Sequence, residues 1–104
     1  MKIMISQPMR GKTNEQIRKE RAELVKKLEL DGHEVVDTVF ENAPEGEDAS
    51  IYCLAESIHY IGKVDALYFM TGWEKARGCR IEHEVAVQYG KKVYYESEKI
   101  EEEK

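Results

Sequence analysis

The stretch from Val64 to Tyr95, VDALYFMTGWEKARGCRIEHEVAVQYGKKVYY, decides the fold. It begins with a short apolar run, Ala66 to Met70, which is typical of a strand covered on both faces. The helical pattern that follows repeats apolar residues about one turn apart, at Ile81, Val85 and Tyr89, and predicts a buried stripe there. Gly90 ends this helix, and Val93 to Tyr95 predicts a second strand. Strand, helix and strand in about 30 residues form a βαβ unit with parallel strands and a right-handed crossover.

The residues before this unit predict two more strands, each followed by a helix. The strands are predicted at 2–5 and 33–37, and the helices start at Thr13 and at Asp48 or Ser50. Thr13 and Gln16 have the spacing of a capping box, whereas Arg21 falls within an apolar stripe and must snorkel or pair. The fold class is therefore α/β: a small doubly wound, Rossmann-like or flavodoxin-like sheet of four parallel strands with three helices. We predict the strand order 2-1-3-4.

This strand order predicts where a ligand binds. In a doubly wound sheet, ligands lie outside the carboxyl ends of the strands, at the point where the order reverses. Here that point lies between the first and third strands, so the loop 6–12 comes beside the segment 71–82. The loop, SQPMRGK, carries Ser6, Arg10, Gly11 and Lys12 just before a helix N-terminus, which is suited to a phosphate. The alternative is that Arg10 and Lys12 are only exposed charges.

Glu82 is the candidate catalytic residue of the second segment. We predict that it lies in the first turn of the third helix, either as an acid that the helix dipole stabilises or as an ionised nucleophile. Trp73 and Tyr68 are candidates for stacking on a base, and core packing is the alternative for both. His83 points about 100° away from Glu82 on a helix, which predicts a surface position.

Composition limits the class of protein. The chain of 104 residues predicts one domain, at 1–95, followed by an acidic, frayed tail at 96–104. A formal net charge of -5 argues against a nucleic-acid polymer as partner. Apolar runs are too short for a membrane span, so we expect a cytoplasmic protein, with Cys53 and Cys79 reduced. The spacing of Cys and His predicts no metal site, and we expect no cofactor.

A motif around Glu82 carries a family resemblance. The segment Gly78-Cys79-Arg80-Ile81-Glu82-His83-Glu84-Val85-Ala86, followed by Gly90-Lys91, resembles the Gly-x-x-x-Glu-x-x-x-Ala segment of nucleoside 2-deoxyribosyltransferases and deoxynucleoside 5'-monophosphate N-glycosidases. Together, MISQPMRG, DGHEVV and GWEKARGCRIEHEVA are similar to a small, uncharacterised family of bacterial and phage proteins related to those enzymes. This similarity covers nearly the whole chain.

The resemblance implies a substrate, a set of site residues and an assembly. The substrate is a nucleoside or its 5'-monophosphate, and Glu82 is the nucleophile that cleaves its N-glycosidic bond. Substrate contacts are implied or expected for Ser6, Arg10, Gly11, Asp65, Trp73, Gly78 and Arg80. Asp65 matches an aspartate that has either a structural or a catalytic role at the start of the third strand. A homodimer or higher homo-oligomer is expected.

The chain departs from this family pattern just before the motif. Many transferases have Asp-Ser-Gly there, and that aspartate handles the nucleobase, whereas this chain has Ala76-Arg77-Gly78. A purely structural or interaction protein is the least favoured of three functions. The two that are favoured are an N-glycosidase or deoxyribosyltransferase and a nucleotide-binding module without catalysis. Both require Glu82 and the loop after the first strand to face one crevice.

Overall fold

A computed structural model describes residues 1–36 and 43–96. In chain order the main elements are β1 (Lys2–Ser6), α1 (Asn14–Leu30), β2 (Glu34–Val36), α2 (Ala49–Ile61), β3 (Ala66–Phe69), α3 (Arg77–Gln88) and β4 (Lys92–Tyr95). A single 3₁₀ turn, Trp73–Lys75, lies between β3 and α3. The predicted alternation of strands and helices is confirmed. The frayed tail predicted after residue 96 lies outside the described residues.

The four strands form one parallel sheet in the order β2-β1-β3-β4, as predicted. The order reverses between β1 and β3, where Ile3 pairs with Ala66 and Ser6 pairs with Phe69. Phe69 in turn pairs with Tyr95 of β4. Ser6, Phe69 and Tyr95 therefore form the last row across the carboxyl edge of three adjacent strands.

Alternating strand residues supply two separate apolar clusters, one on each face of the sheet. On the α1 face the buried members are Ile3, Ile5, Leu24, Leu28, Ala66, Tyr68 and Met70. On the α2 and α3 face they are Met4, Ile61, Val64, Leu67, Phe69 and Ala86. Because side chains alternate along a strand, Ser6 shares the face of Met4 and lies beneath α2 and α3.

Two of the helices begin with the side-chain caps that the sequence predicts. The Thr13 hydroxyl accepts the Gln16 N–H at 3.1 Å, and the Gln16 side chain accepts the Thr13 N–H at 2.8 Å, which completes a capping box. Asp48 caps α2 by accepting the Ile51 N–H at 3.1 Å. These bonds satisfy backbone donors that the first turn of a helix leaves free.

α3 begins earlier than predicted and has no side-chain cap. Gly72 turns the chain with a φ of 94°, the 3₁₀ turn follows, and the helix begins at Arg77 with Ala76 at its N-cap position. The predicted first-turn position of Glu82 is therefore wrong, because Glu82 is the sixth residue of the helix. The helix dipole acts mainly within the first turn, so it does not account for this carboxylate.

The predicted apolar stripe of α3 is wrong at two of its three positions, since only Val85 packs against the core. Ile81 is 38% exposed and Tyr89 is 78% exposed. The buried positions are Cys79, Glu82 and Ala86, spaced three and four residues apart. Tyr89 follows the last helical residue, so the helical period no longer directs it toward the sheet. Within 1–36 and 43–96, no helix has both the length and the apolar character needed to cross a membrane.

Candidate functional site

The buried polar side chains of the described chain meet at one place, the carboxyl edge of the sheet between β1 and β3. Four elements contribute: the end of β1 with the residue after it, α1, α2 and α3. The members of this polar cluster are Ser6, Gln7, Arg21, Ser57 and Glu82, each no more than 9% exposed. Burying a polar group costs free energy unless it is hydrogen-bonded, so their concentration at the topological switch point marks the candidate site.

Glu82 is the centre of the polar cluster. The Ser6 hydroxyl donates to Glu82 Oε1 at 2.6 Å, and both groups are buried. The Ser57 hydroxyl of α2 also hydrogen-bonds the Glu82 carboxylate, and the Arg21 guanidinium attracts its charge. The carboxylate is thus held from a strand and from helices on both faces of the sheet. The 2.6 Å distance from Ser6 lies in the range of a hydroxyl that donates to an ionised carboxylate.

Burial raises the pKa of Glu82 above its ordinary value of 4.5. The hydrogen bonds from Ser6 and Ser57 lower this pKa, as does the positive charge of Arg21, but together they offset the burial only in part. The carboxylate is therefore less stable in this site than in water. A poorly solvated carboxylate in a fixed orientation is a typical feature of a catalytic position.

Arg21 reaches the site from α1, on the opposite face of the sheet. Its Nη1 donates to Gln7 Oε1 at 3.5 Å, and Gln7 Nε2 donates to the Ile17 carbonyl at 2.9 Å. The prediction that Arg21 must snorkel or pair is confirmed, since it is 9% exposed and interacts with Gln7 and Glu82. Gln7 fixes the guanidinium by bridging it to the α1 backbone.

Cys79 borders the polar cluster as a neutral thiol. Burial raises its pKa to about 11; a hydrogen bond with Ser6 lowers this pKa, and the nearby Glu82 charge raises it. Cysteine reacts as the thiolate, so this side chain is not a nucleophile at neutral pH. Both Cys53 and Cys79 are free thiols. Glu82 is therefore the better candidate for covalent chemistry.

An aromatic cluster lies on the face of the sheet that Glu82 shares, and its members are Phe69, Trp73, His83 and Tyr95. The Trp73 and His83 rings stack with centroids 4.2 Å apart, and the Phe69 ring lies 5.0 to 5.9 Å from the other three. His83 Nε2 and the Tyr95 hydroxyl share a hydrogen bond. The predicted surface position of His83 is wrong, because the direction that turns it away from Glu82 points it at these rings.

The two proposed stacking residues have different surroundings. Trp73 is half-buried at the carboxyl edge, in the aromatic cluster. Tyr68 is 3% exposed and belongs to the apolar cluster on the α1 face. Burial, followed by the charge of Glu96, raises the pKa of Tyr68. The stacking role predicted for Tyr68 is therefore wrong, since its ring is enclosed on the face opposite Glu82.

The end of β1 contributes Ser6 to the buried site and the loop after it contributes Gln7, while the cationic part of the loop stays at the surface. Arg10 and Gly11 are exposed. Lys12 Nζ lies 2.8 Å from Glu20 Oε1 in a partly exposed ion pair that lowers the pKa of Glu20. Lys12 therefore pairs with the surface of α1, which agrees with the alternative that it is an exposed charge.

Asp65 lies at the opposite edge of the sheet from Glu82. Its Oδ2 accepts the Lys2 N–H at 2.8 Å, and its own N–H donates to the Lys2 carbonyl at 2.8 Å. Lys2 begins β1, and Asp65 directly precedes β3. These bonds join the amino ends of the two strands, so the structural alternative for Asp65 is the one that the geometry favours.

The start of α3 brings two more candidates to the carboxyl edge. Arg80 Nη1 donates to the Glu74 carbonyl at 3.1 Å, which ties the helix to the 3₁₀ turn. Gly78 lies in the first turn, and a Cβ atom added there would meet nothing within 4 Å. The first turn of α3 therefore has an open side beside uncapped backbone N–H groups, where a ligand can approach closely.

Sequence reasoning missed Gln7 and Ser57, whose side chains complete the polar cluster. The one available signal for Ser57 was its spacing of four residues from Ile61, which places both on the buried side of α2. Among residues 1–36 and 43–96, no three His, Cys, Asp or Glu side chains are grouped so that they could hold a metal ion. The chemistry available in the described site is that of a carboxylate, hydroxyls, a guanidinium and a histidine.

Comparison with known proteins identifies a family but no activity. No curated protein matches the chain. Residues 1–95, from β1 through the end of β4, match a family described as a domain of unknown function, DUF4406. This match includes every residue of the polar and aromatic clusters. The chain therefore belongs to the DUF4406 family.

Proposed function

We propose that the protein cleaves the N-glycosidic bond of a nucleoside or a deoxynucleoside 5'-monophosphate, with Glu82 as the nucleophile. The observation that carries this proposal is the buried Glu82 carboxylate, which accepts a 2.6 Å hydrogen bond from Ser6 at the switch point of the sheet. A carboxylate at this place destabilises the fold by its burial, so packing does not explain it. The resemblance of the Gly78 to Ala86 segment to deoxyribosyltransferases supports the same role.

The reaction is a displacement at the anomeric carbon. A Glu82 oxygen attacks C1', the C1'–N bond breaks, and a glycosyl ester forms that water or a second base resolves. Ser6 orients the carboxylate, and the Arg21 charge favours its ionised form. Because burial raises the pKa of Glu82, the nucleophilic form increases as pH rises through that pKa.

We expect a 5'-phosphate to bind at basic residues of the two segments that lead into the helices beside the site. Arg10 and Gly11 follow Ser6 in the first loop, while Arg77 and Arg80 lie in the first helical turn of α3. The start of α3 has no side-chain cap, and helix N-termini favour anions. These features support an anionic substrate despite the formal net charge of -5 of the whole chain.

The alternative is a nucleotide-binding protein without catalysis. Ala76, the residue that corresponds to the base-handling aspartate of many transferases, has no carboxylate. This alternative keeps the open first turn of α3 and the polar cluster as a binding site. It predicts thermal stabilisation by nucleotides without release of free base.

The test is a panel of the common 2'-deoxynucleosides and their 5'-monophosphates, with free base measured by liquid chromatography. We expect base release by the wild-type protein and its loss in Glu82→Gln. The matched control is Glu84→Gln, which changes an exposed carboxylate of the same helix that bonds Gln88. Base release by Glu82→Gln at the wild-type rate excludes Glu82 as the nucleophile.

The binding alternative is tested with the same panel by thermal shift. Ligand at 100 times its Kd stabilises a folded protein by about 2.7 kcal/mol, which is easily measured in a domain of this size. A clear shift without base release favours the binding module. If no member of the panel gives a thermal shift or base release, both functions are excluded.

A homodimer in the cytoplasm belongs to the same proposal. Ile51 of α2 is 66% exposed, and Val87 of α3 is 50% exposed. A second copy would cover apolar surface of this kind. Light scattering of the purified protein tests the subunit number, and a monomer at micromolar concentration contradicts it.

A further inference from the structure

We propose that the Tyr95 hydroxyl, with His83 as its proton source, protonates the departing nucleobase. This inference rests on the proposed glycosidic cleavage and supplies a step that Glu82 does not perform. A nucleobase is a poor leaving group as an anion, and a proton delivered in the transition state is worth roughly 10²- to 10⁴-fold in rate. The chain therefore needs an acid at the side of the base.

The last row of the sheet sets the distance between the nucleophile and this acid. Ser6, Phe69 and Tyr95 are paired in register on three adjacent strands. Two strand spacings separate the Ser6 and Tyr95 backbones, which is about 10 Å. Ser6 binds the Glu82 carboxylate, and Tyr95 binds His83. The nucleophile and the acid thus lie on one face at the same edge, with the buried Phe69 of the middle strand between them.

Two consecutive residues of α3 hydrogen-bond the two ends of this row. Glu82 and His83 are about 100° apart around the helix, so the carboxylate points to Ser6 and the imidazole points to Tyr95. His83 is fixed by stacking on Trp73 at 4.2 Å and by an edge contact with Phe69 at 5.0 Å. Both His83 and Tyr95 are half-buried, so the pair is not fully enclosed by the protein.

The neighbouring carboxylates of the described chain are less suitable. Glu74 and Glu84 are exposed, and Glu84 bonds Gln88 of its own helix. Glu96 accepts the Thr71 N–H at 2.9 Å. Histidine is the side chain that most readily exchanges a proton near neutral pH, and a hydrogen-bonded tyrosine can relay that proton. The His83 and Tyr95 pair is therefore the acid that the geometry points to.

Bonds, electrons and protons balance in this step. The Glu82 oxygen forms a bond to C1' while the C1'–N bond breaks and its electron pair moves to the base. The Tyr95 O–H gives its proton to the base, and the His83 imidazolium returns a proton to the Tyr95 oxygen. Water then attacks the glycosyl ester at C1', releasing the free sugar and the Glu82 carboxylate, and its proton restores the imidazolium.

The experiment compares two leaving groups. The first is the deoxynucleotide that the wild-type protein cleaves fastest. The second is an analogue whose base leaves without an added proton, N7-methylated for a purine or 5-nitro-substituted for a pyrimidine. Tyr95→Phe and His83→Phe keep aromatic rings in the cluster and remove the acid. Tyr94→Phe is the matched control, because Tyr94 is the adjacent residue of β4 and its hydroxyl contacts Met1 Sδ instead.

We expect Tyr95→Phe and His83→Phe to lower kcat for the ordinary substrate by roughly 10²-fold or more, and for the activated analogue by less than about 3-fold. Tyr94→Phe should match the wild-type protein on both. Equal losses on the two substrates overturn this inference and leave glycosidic cleavage standing. No turnover of either substrate by the wild-type protein overturns both proposals.

Discussion

Removing the Ser6 hydroxyl tests the contact with Glu82 on which the candidate site depends; the same hydroxyl also hydrogen-bonds the Cys79 thiol. Ser6→Ala deletes one oxygen atom that donates to Glu82 Oε1 at 2.6 Å, at a residue 1% exposed. The remaining methyl group fits the space, so the backbone of β1 is unaffected. The carboxylate, already raised in pKa by burial, loses a bond that lowers that pKa.

The size of the effect follows from the kind of bond that is lost. A hydrogen bond to a charged group contributes about 1.5 to 3 kcal/mol to stability. In a domain of this size 1 kcal/mol corresponds to roughly 4 to 8 °C in Tm. We therefore expect Ser6→Ala to lower Tm at pH 7 by about 6 to 24 °C. Ser50→Ala, which changes an exposed serine of α2, is the control and should leave Tm within about 2 °C.

A double-mutant cycle with Glu82→Gln tests whether this cost depends on the carboxylate charge. Urea unfolding at pH 7 gives the free energies of the wild-type protein, the two single variants and the double variant. In the Glu82→Gln background the hydroxyl bonds a neutral amide, so its removal should cost about 0.5 to 1.5 kcal/mol, less than in the wild-type background. Equal costs in the two backgrounds refute a charge-dependent bond between Ser6 and Glu82.

Three further predictions concern pH, glycine positions and thiol reactivity. Burial raises the pKa of Glu82 above 4.5, so the folded state holds this proton more tightly than the unfolded state, and stability falls as pH rises from about 4.5 through the raised pKa. Glu82→Gln should therefore be more stable than the wild-type protein at pH 7, and the difference should vanish below about pH 4.5. Urea titrations across this pH range measure the difference in stability. A gain in stability that persists at low pH contradicts the prediction. Gly78→Ala should stabilise α3 by roughly 0.5 to 1 kcal/mol yet weaken nucleotide binding at the open turn, whereas Gly72→Ala, at a φ of 94°, should destabilise the fold by about 1 to 2 kcal/mol. Calorimetry measures the stability and the nucleotide affinity of each variant. Unchanged nucleotide affinity in Gly78→Ala removes that turn from the binding site. Because its pKa is raised to about 11 by burial, Cys79 should resist alkylation at about pH 8 in the folded protein and react in urea, as peptide mass spectrometry can follow; rapid modification of folded protein contradicts the buried thiol.

The fold could be predicted because its signals are local. Apolar runs bounded by turn residues predict the strands, and the caps at Thr13 and Asp48 mark two helix starts. α3 lacks such a cap, and its start was predicted several residues too late for that reason. The side of α3 that faces the sheet was also predicted wrongly, because Ile81 is partly exposed while Glu82 is buried.

The candidate site could be predicted only in part, since much of it is non-local. Ser6 and Glu82 are 76 residues apart in the chain. The predicted strand order and the motif around Glu82 were enough to predict that their segments lie side by side. Arg21 gave a signal because a charge within an apolar stripe needs a partner, although the sequence does not say which. Ser57 gave almost no signal, since a serine one helical turn from apolar residues is common.

The distribution of buried polar groups argues that this site serves function rather than stability. A small domain has little stability to spare, and its packing would favour an apolar residue at position 82. Here Glu82 is surrounded instead by Ser6, Ser57 and Arg21, which come from three other elements and hold its carboxylate without fully compensating its burial. If the carboxylate were structural, replacing it by glutamine would weaken the fold at neutral pH. A more stable but inactive Glu82→Gln variant is the outcome that only a functional carboxylate predicts.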